Sequence, residues 1–289
     1  MTTKFKRVSL LFALLLTTAS FAVAQNGAGE SKYAKLGANK IHYKSYGKGK
    51  DALVLVHCWT CNLELWRDHI PELSKRARVV ALDLPGHGLS DKPEMTYSMD
   101  FFADAIDAVM KDAGVEHAVL VGHSMGTPVV RQFYRKYPQK TLGIVIVDGA
   151  LRPFGTKEQR EQFTAPLRGP NYKEAGAQMF AAMGSTLSDA DKERVKTSFL
   201  NTPQYVMVSS MDAMYNDTLY APDKINVPVL AILAKSPFWQ PDTEQFLRSL
   251  APDLTFQMWE GVSHFLFLER PKEFDAAVIA FLDQKKLLK

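Results

Sequence analysis

The chain has 289 residues, of which 46% are hydrophobic and 23% charged. This length suffices for one large domain with an inserted segment, and the ordinary composition argues against disorder and against several membrane spans. Three positive charges of the formal +4 lie within the first 24 residues, so the remainder carries only +1 and offers no basic surface for nucleic acid.

The first 24 residues have the composition of a secretory signal. A basic start from Lys4 to Arg7 precedes an uncharged run over 8–24, which ends in Ala-Val-Ala, the small residues that a signal peptidase reads. This run of 17 residues is short for a membrane span, which needs about 20. We therefore predict cleavage after Ala24 and export to the periplasm or the medium without stable membrane insertion. Retention as a membrane anchor is the alternative.

From there on, short apolar runs alternate with amphipathic stretches. This pattern predicts an α/β fold with a mostly parallel central sheet covered by helices on both faces. A short turn between the first two runs predicts an antiparallel start. The expected strands are 33–36, 40–46, 52–57, 79–84, 118–121, 142–147, 229–233 and 254–259, and the expected helices are 99–112, 128–137, 243–250 and 272–282.

The two cysteines, Cys58 and Cys61, follow the third expected strand with C-x-x-C spacing. In a thioredoxin-like setting this spacing indicates redox chemistry, but here free buried thiols or a local structural disulfide are favoured. Two cysteines cannot form a metal site unaided, and no cluster of His or carboxylate residues has ligand spacing. No metal or cofactor is expected.

Ser124 lies in the sequence Gly-His-Ser-Met-Gly, between an expected strand and an expected helix. This is the nucleophile-elbow pattern in the context that it requires. A serine in so tight a turn needs small residues two positions away, and the following helix directs its positive end at the oxyanion that forms there. We predict that Ser124 is a nucleophile.

A serine hydroxyl needs a base to become nucleophilic, and proteins with this elbow have the chain order serine, acid, histidine. His264 follows the last expected strand and is therefore the expected base. His57, His87 and His123 belong to loop motifs near the serine, and the remaining three histidines fall on expected surface segments: His42, His69 and His117.

These motifs resemble the α/β-hydrolase superfamily over residues 40–282. Besides the elbow, Asp-Leu-Pro-Gly-His-Gly-Leu-Ser at 83–90 is similar to the loop after that family's fourth strand, and Val-His-Cys-Trp at 56–59 is similar to its oxyanion motif. The resemblance implies that the backbone N–H groups of Trp59 and Met125 form the oxyanion hole. The chain departs from the family at Cys58, where a glycine is usual.

The acid has two candidates. The family usually places it after the strand expected at 229–233, but no carboxylate follows that strand before Asp242. A subset of the superfamily, including some haloalkane dehalogenases, carries the acid one strand earlier, where this chain has Asp148. We favour Asp148 over Asp242, although many family members have a non-catalytic aspartate there.

Residues 151–224 interrupt the alternation, since they contain no convincing strand and several helical segments. Ser188 and Thr202 are expected to cap two of these helices. We predict a helical cap over 151–224, inserted after the sixth strand into a hydrolase core formed by 25–150 and 225–289. Its five Met residues are either core or an adaptable apolar wall: Met179, Met183, Met207, Met211 and Met214.

The expected function is that of a serine hydrolase acting through an acyl-enzyme on a small, largely apolar ester, lactone or related carbonyl compound. Trp59, Phe238 and Trp239 are candidates for the substrate pocket or for core positions. Two alternatives stay open, an acyltransferase with the same triad and a ligand-binding protein that keeps the fold without turnover.

Overall fold

The computed structural model describes residues 29–153 and 155–288, so the predicted signal segment at 1–24 lies outside the described residues. Eight strands form one sheet: β1 Glu30–Leu36, β2 Asn39–Tyr46, β3 Asp51–Val56, β4 Arg78–Leu82, β5 His117–His123, β6 Thr141–Val147, β7 Val229–Ala234 and β8 Leu254–Trp259. Their order is β1-β2-β4-β3-β5-β6-β7-β8. The β1–β2 pair is antiparallel and the sheet is mostly parallel, as predicted. The β2–β4 pair is antiparallel as well, which the sequence did not indicate.

Ten α-helices accompany the sheet within the described residues. They are α1 Ile70–Arg76, α2 Met99–Ala113, α3 Gly126–Lys136, α4 Lys157–Arg168, α5 Tyr172–Met183, α6 Asp189–Leu200, α7 Gln204–Met214, α8 Thr243–Leu250, α9 Leu266–Glu269 and α10 Pro271–Gln284. Helix α1 packs against α10 and β4, whereas α2 and α3 pack against each other. The mostly parallel sheet with its helices confirms the predicted fold class.

The central strands consist of apolar residues because both faces of the sheet are covered. In β7 every side chain is buried, and β3 and β5 have only their first residue half-exposed. Val54 of β3 lies between Val80 of β4 and Leu120 of β5 in parallel register. The carboxyl ends of the parallel strands therefore meet at one edge of the sheet, where the loops that carry the chemistry begin.

The helical insertion, defined here as α4 to α7 (residues 157–214), lies between β6 and β7 in the chain. The Ser188 hydroxyl accepts a hydrogen bond from the Asp191 N–H at 3.2 Å, as expected for the start of α6. The expected N-cap at Thr202 is wrong, because α7 begins one residue later than the sequence suggested, after Pro203. The Thr202 hydroxyl instead contacts the carbonyl oxygens of Thr60 and Ser198.

Two histidines that were expected at the surface are buried. The Nδ1 atom of His42 lies 2.7 Å from a carboxylate oxygen of Asp83, and that of His69 lies 2.7 Å from one of Asp275. Each carboxylate accepts a hydrogen bond from one imidazole N–H inside the protein, whereas Nε2 of His69 is buried without a partner among the described residues. The expectation failed because these partners are 41 and 206 residues away in the sequence.

Candidate active site

Ser124 lies in a sharp turn between β5 and α3. Its backbone has φ +53°, a left-handed conformation that serine rarely adopts. A Cβ atom added to Gly122 would lie 2.5 Å from the carbonyl oxygen of Gly126, and one added to Gly126 would lie 2.5 Å from that of Val56. The elbow therefore requires glycine at both positions, for the steric reason that the sequence suggested.

His264 lies beyond β8 and meets Asp148, which directly follows β6. The His264 Nδ1 atom is 2.6 Å from Oδ2 of Asp148. Because a carboxylate can only accept, this nitrogen carries the proton and Nε2 is left as the basic atom of the neutral ring. The other Asp148 oxygen accepts the backbone N–H of Ala234 at 2.8 Å, so both carboxylate oxygens are held. Asp148 has φ +42°, again in the left-handed region.

Asp242, the other candidate for the acid, does not meet His264. Its two carboxylate oxygens lie 2.7 and 3.1 Å from the guanidinium nitrogens of Arg152, and its side chain is 55% exposed. The Arg152 guanidinium holds the pKa of this carboxyl below its ordinary value. The structure thus brings Asp148, and not Asp242, to the histidine.

The backbone of His264 is fixed from two sides. Its N–H donates to the carbonyl oxygen of Met183, at the end of α5, over 3.2 Å. Its carbonyl oxygen accepts a hydrogen bond from Nε2 of His123 at 2.9 Å. Burial, and next the neighbouring His264, hold the pKa of His123 well below its ordinary value, so this imidazole is neutral at pH 7.

No pattern in the sequence indicates these contacts of His264. The elbow motif assigns His123 no role of its own, and Met183 is only one of several methionines in the predicted cap. His264 is 141 residues from His123 in the sequence, and it belongs to a loop whose position depends on the whole sheet. The only local hint is that His123 directly precedes the serine.

Trp59 lies in the segment after β3, and Met125 directly follows Ser124 and precedes α3. Among the hydrogen bonds of residues 29–153 and 155–288, neither backbone N–H donates to a protein acceptor. Met125 is fully buried and Trp59 is 4% exposed, yet both contribute to the wall of the same cavity as Ser124. Two free N–H groups beside a serine suit the stabilisation of an oxyanion.

Cys58 and Cys61 form a disulfide, one of the two states that the sequence left open. The bridge spans Trp59 and Thr60, and both sulfur-bearing residues are buried. The Trp59 indole N–H donates to the carbonyl oxygen of Met207 in α7 at 2.9 Å, and its ring stacks on Phe180 with centroids 5.8 Å apart.

Ser124, Asp148 and His264 all line one cavity of about 730 Å³, the Ser124 cavity. The cavity is also lined by the three aromatic residues that the sequence offers as candidates for a substrate pocket: Trp59, Phe238 and Trp239. Its volume is within the range of small-molecule sites. The helical insertion supplies much of the apolar wall: Phe163, Met179, Phe180, Met183, Met211 and Met214.

Three basic side chains line the Ser124 cavity, and each is bound to a carboxylate that does not line it. Arg152 pairs with Asp242 and Lys235 with Glu260. Arg160 pairs with Asp217. Because these pairs neutralise the cations, none of the three presents an unpaired positive charge to a ligand in the cavity.

The described residues contain no group of three or more His, Cys, Asp or Glu side chains arranged to hold a metal ion. A search of the same residues for helices that are long and apolar enough to cross a membrane finds none.

Residues 51–271 match the family described as alpha/beta hydrolase fold, and the chain belongs to this family. The uncharacterized protein Rv2715 of Mycobacterium tuberculosis is 26% identical over 264 residues, which span 80% of this chain and 75% of that protein. The 2-(acetamidomethylene)succinate hydrolase of Mesorhizobium japonicum is 30% identical over 150 residues, 52% of this chain and 51% of that protein. The solved structure of Est816, described as an N-acyl homoserine lactone degrading enzyme, is 25% identical with a TM-score of 0.72, over 86% of this chain and 99% of that one.

Proposed function

We propose that the protein is a serine hydrolase that cleaves a small, largely apolar carboxylic ester or lactone through an acyl-enzyme. The observation that carries the proposal is the hydrogen bond between Asp148 and His264, 2.6 Å long, in the cavity onto which the strained Ser124 opens. An aspartate that fixes one imidazole nitrogen as the donor leaves the other free to act as a base.

The mechanism assigns each group one task. His264 Nε2 takes the hydroxyl proton of Ser124 as the oxygen attacks the substrate carbonyl, and Asp148 stabilises the imidazolium. The N–H groups of Trp59 and Met125 donate to the oxyanion. His264 then protonates the leaving alcohol, activates a water molecule and so allows hydrolysis of the acyl-enzyme.

The apolar wall supports the choice of substrate. Methionine side chains are unbranched and adapt to varied apolar shapes, which suits an acyl chain or an alkyl group. Est816 acts on a lactone with an acyl chain, and its likeness to this chain supports lactones as well as open esters. The helical insertion then serves as the cap within residues 151–224 that covers the substrate.

Labelling with a fluorophosphonate tests the proposal, because only an activated serine reacts with it. Wild-type protein should be labelled at Ser124, and Ser124→Ala should lose labelling and on the order of 10⁶ in kcat toward p-nitrophenyl esters while it stays folded. Near-normal turnover by Ser124→Ala would remove the assignment, and absence of labelling in the wild type would favour a ligand-binding protein. Competing alcohols in the assay distinguish acyl transfer from hydrolysis.

Ser31 offers a matched control. Its hydroxyl lies 3.1 Å from Nε2 of His42, whose Nδ1 in turn meets Asp83, so the three residues repeat the hydrogen-bond order of a triad. Ser31 does not line the Ser124 cavity, and its side chain is exposed on the edge strand β1. We expect Ser31→Ala to keep wild-type labelling and kcat.

We also propose that the protein is exported and that its mature form begins at Gln25. The support is the basic, then uncharged, then small-residue order of the first 24 residues. Intact-mass measurement of the protein recovered from the periplasm or the medium should give the chain from Gln25 to Lys289. A mass that includes Met1 to Ala24 in that fraction would contradict the proposal.

A further inference from the structure

We propose that the disulfide between Cys58 and Cys61 is a positioning element of the oxyanion site, which holds the Trp59 N–H in place for the transition state. The inference rests on the proposed function. It concerns the segment Cys58 to Cys61, called here the disulfide loop, whose two bridged residues act through Trp59 and need not touch the substrate.

The bridge closes the chain directly around the proposed oxyanion donor. The Cα atoms of Cys58 and Cys61 are 5.2 Å apart, and the Cys61 N–H donates to the Cys58 carbonyl oxygen at 3.1 Å. Between them, Thr60 has φ +56°, a left-handed conformation that a β-branched residue rarely adopts. An open chain would relax this residue, so the covalent closure maintains a backbone shape that the loop's own sequence disfavours.

Three of the four carbonyl oxygens of the disulfide loop, those of Cys58, Trp59 and Thr60, accept hydrogen bonds. The Cys58 carbonyl accepts the Nδ1–H of His57 at 2.7 Å, and the Trp59 carbonyl accepts the Thr60 hydroxyl at 2.7 Å. The Thr60 carbonyl oxygen accepts hydrogen bonds from the hydroxyl groups of Ser198 and Thr202 in the helical insertion. The Trp59 N–H, like the N–H groups of Cys58 and Thr60, has no acceptor among the described residues, so it is available to an oxyanion.

The disulfide loop is also part of the reaction cavity. Cys58 and Trp59 line the Ser124 cavity, while the Cys58 and Cys61 side chains are only 2% and 1% exposed. The bridge is therefore buried and does not lie on the outer surface.

A preorganised donor has a kinetic signature that differs from that of a stabilising crosslink. Oxyanion donors act where charge develops, so their displacement lowers kcat and the affinity for tetrahedral analogues, and leaves ground-state binding unchanged. A crosslink that only stabilised the fold would change the midpoint of unfolding and leave kcat of the folded protein as it was.

The test compares the mature wild type with the double variant Cys58→Ala, Cys61→Ala. For p-nitrophenyl butyrate we expect kcat to fall about 10- to 100-fold, less than or equal to the loss of a whole donor, with KM changed less than about twofold. The affinity for the matching trifluoromethyl ketone, which forms a tetrahedral adduct, should fall by the same factor as kcat/KM, and the affinity for butyrate should not change. Circular dichroism and thermal unfolding identify the folded fraction of each protein.

Reduction of the wild type provides a second route if the double variant does not fold. A water-soluble phosphine and one water molecule convert the disulfide to two thiols and the phosphine oxide, and the intact mass increases by two hydrogens. Below the unfolding temperature the reduced protein should show the same loss of kcat, and oxidised glutathione should restore it by thiol–disulfide exchange. Wild-type protein that is reduced and then reoxidised is the control, and it should have the kcat of untreated protein; where the double variant folds, the same phosphine should leave its kcat unchanged.

The outcomes separate the two proposals. Wild-type kcat and wild-type ketone affinity in a folded protein without the disulfide would overturn the positioning role, and so would a rise in KM with kcat unchanged. Absence of fluorophosphonate labelling in the wild type would instead overturn the serine-hydrolase function, and this inference with it.

Discussion

Both oxygens of the Asp148 carboxylate accept a hydrogen bond, and this arrangement determines what replacement of the residue would do. One carboxylate oxygen faces the His264 Nδ1–H and the other faces the Ala234 N–H, so both neighbours are donors. An asparagine has a single oxygen acceptor and would place its NH₂ group against one of them. If that neighbour is His264, the imidazole must adopt the other tautomer and loses its basic Nε2.

We therefore expect Asp148→Asn to lower kcat by about 10⁴ toward a p-nitrophenyl ester, with little change in secondary structure. The matched control is Asp242→Asn, which removes an exposed ion pair with Arg152 and should leave kcat nearly unchanged. Steady-state kinetics of the two purified variants decides the assignment. A dead Asp242→Asn enzyme beside a normal Asp148→Asn enzyme would reverse it.

The neutrality of His123 suits its position beside the proposed base. Its ring centroid lies 4.8 Å from that of His264, so a charged His123 would oppose the imidazolium that forms on His264 during the reaction. Burial keeps the pKa of His123 low and its Nε2–H committed to the His264 carbonyl. The side chain therefore orients the base without competing for its charge.

The candidate site was predictable to the extent that its signals are local. The elbow around Ser124 combines its glycines, strand and helix within about a dozen residues, so the sequence alone indicates it. The disulfide was not decided by the C-x-x-C spacing, because oxidation depends on the loop geometry that brings Cys58 to Cys61. The sequence does not decide whether Asp148 or Asp242 is the partner of His264, because the two adjacent strands that precede these residues both end near that histidine.

At the scale of elements, burial determined which strands the sequence could indicate. The expected strands match the observed ones closely where side chains are buried, as in β3 and β7. Strand β1 begins at Glu30, three residues before the prediction, because its first four residues are exposed and yet pair with β2 along the backbone. Hydrophobic periodicity gives no signal for such residues.

The unpredicted helices have a related explanation. Helix α1 has seven residues, of which only Ile70 and Leu73 are buried, and α9 has four. Helices this short are not stable alone, so they depend on tertiary packing, in the case of α1 against α10 and β4. Helix α3 begins at Gly126, two residues before the prediction, because the elbow turns directly into it.

Considered as a whole, the molecule buries several histidines in the neutral form, and its stability should depend on pH accordingly. Burial lowers the pKa of His57 and, together with the nearby His57, that of His87 to about 3. In the unfolded chain these groups titrate near pH 6.5. Above that value both states are neutral and the groups contribute nothing, whereas below it only the unfolded chain takes up the protons, so acid favours unfolding.

We expect the free energy of unfolding to fall as the pH decreases below about 6.5, by roughly 1.4 kcal/mol per pH unit for each such histidine. Urea unfolding at several pH values from about 7.5 down to about 5.5, above the range where most carboxylates titrate, measures this slope. His87→Leu removes one of these protons and should therefore lower the slope by about 1.4 kcal/mol per pH unit. A slope equal to that of the wild type would show that His87 is not neutral in the folded protein.

Two hydrogen bonds join the helical insertion to His264 and Trp59, and they limit which segments could be exchanged between members of the family. Met183 in α5 holds the N–H of His264, and Met207 in α7 holds the indole of Trp59, in both cases through main-chain carbonyls. A chimera that received residues 157–214 from a relative would keep an apolar cover but would displace both carbonyl oxygens. The proposed base His264 and the disulfide loop would then shift with them. Insertion and loops are therefore expected to be exchangeable only as one inherited unit.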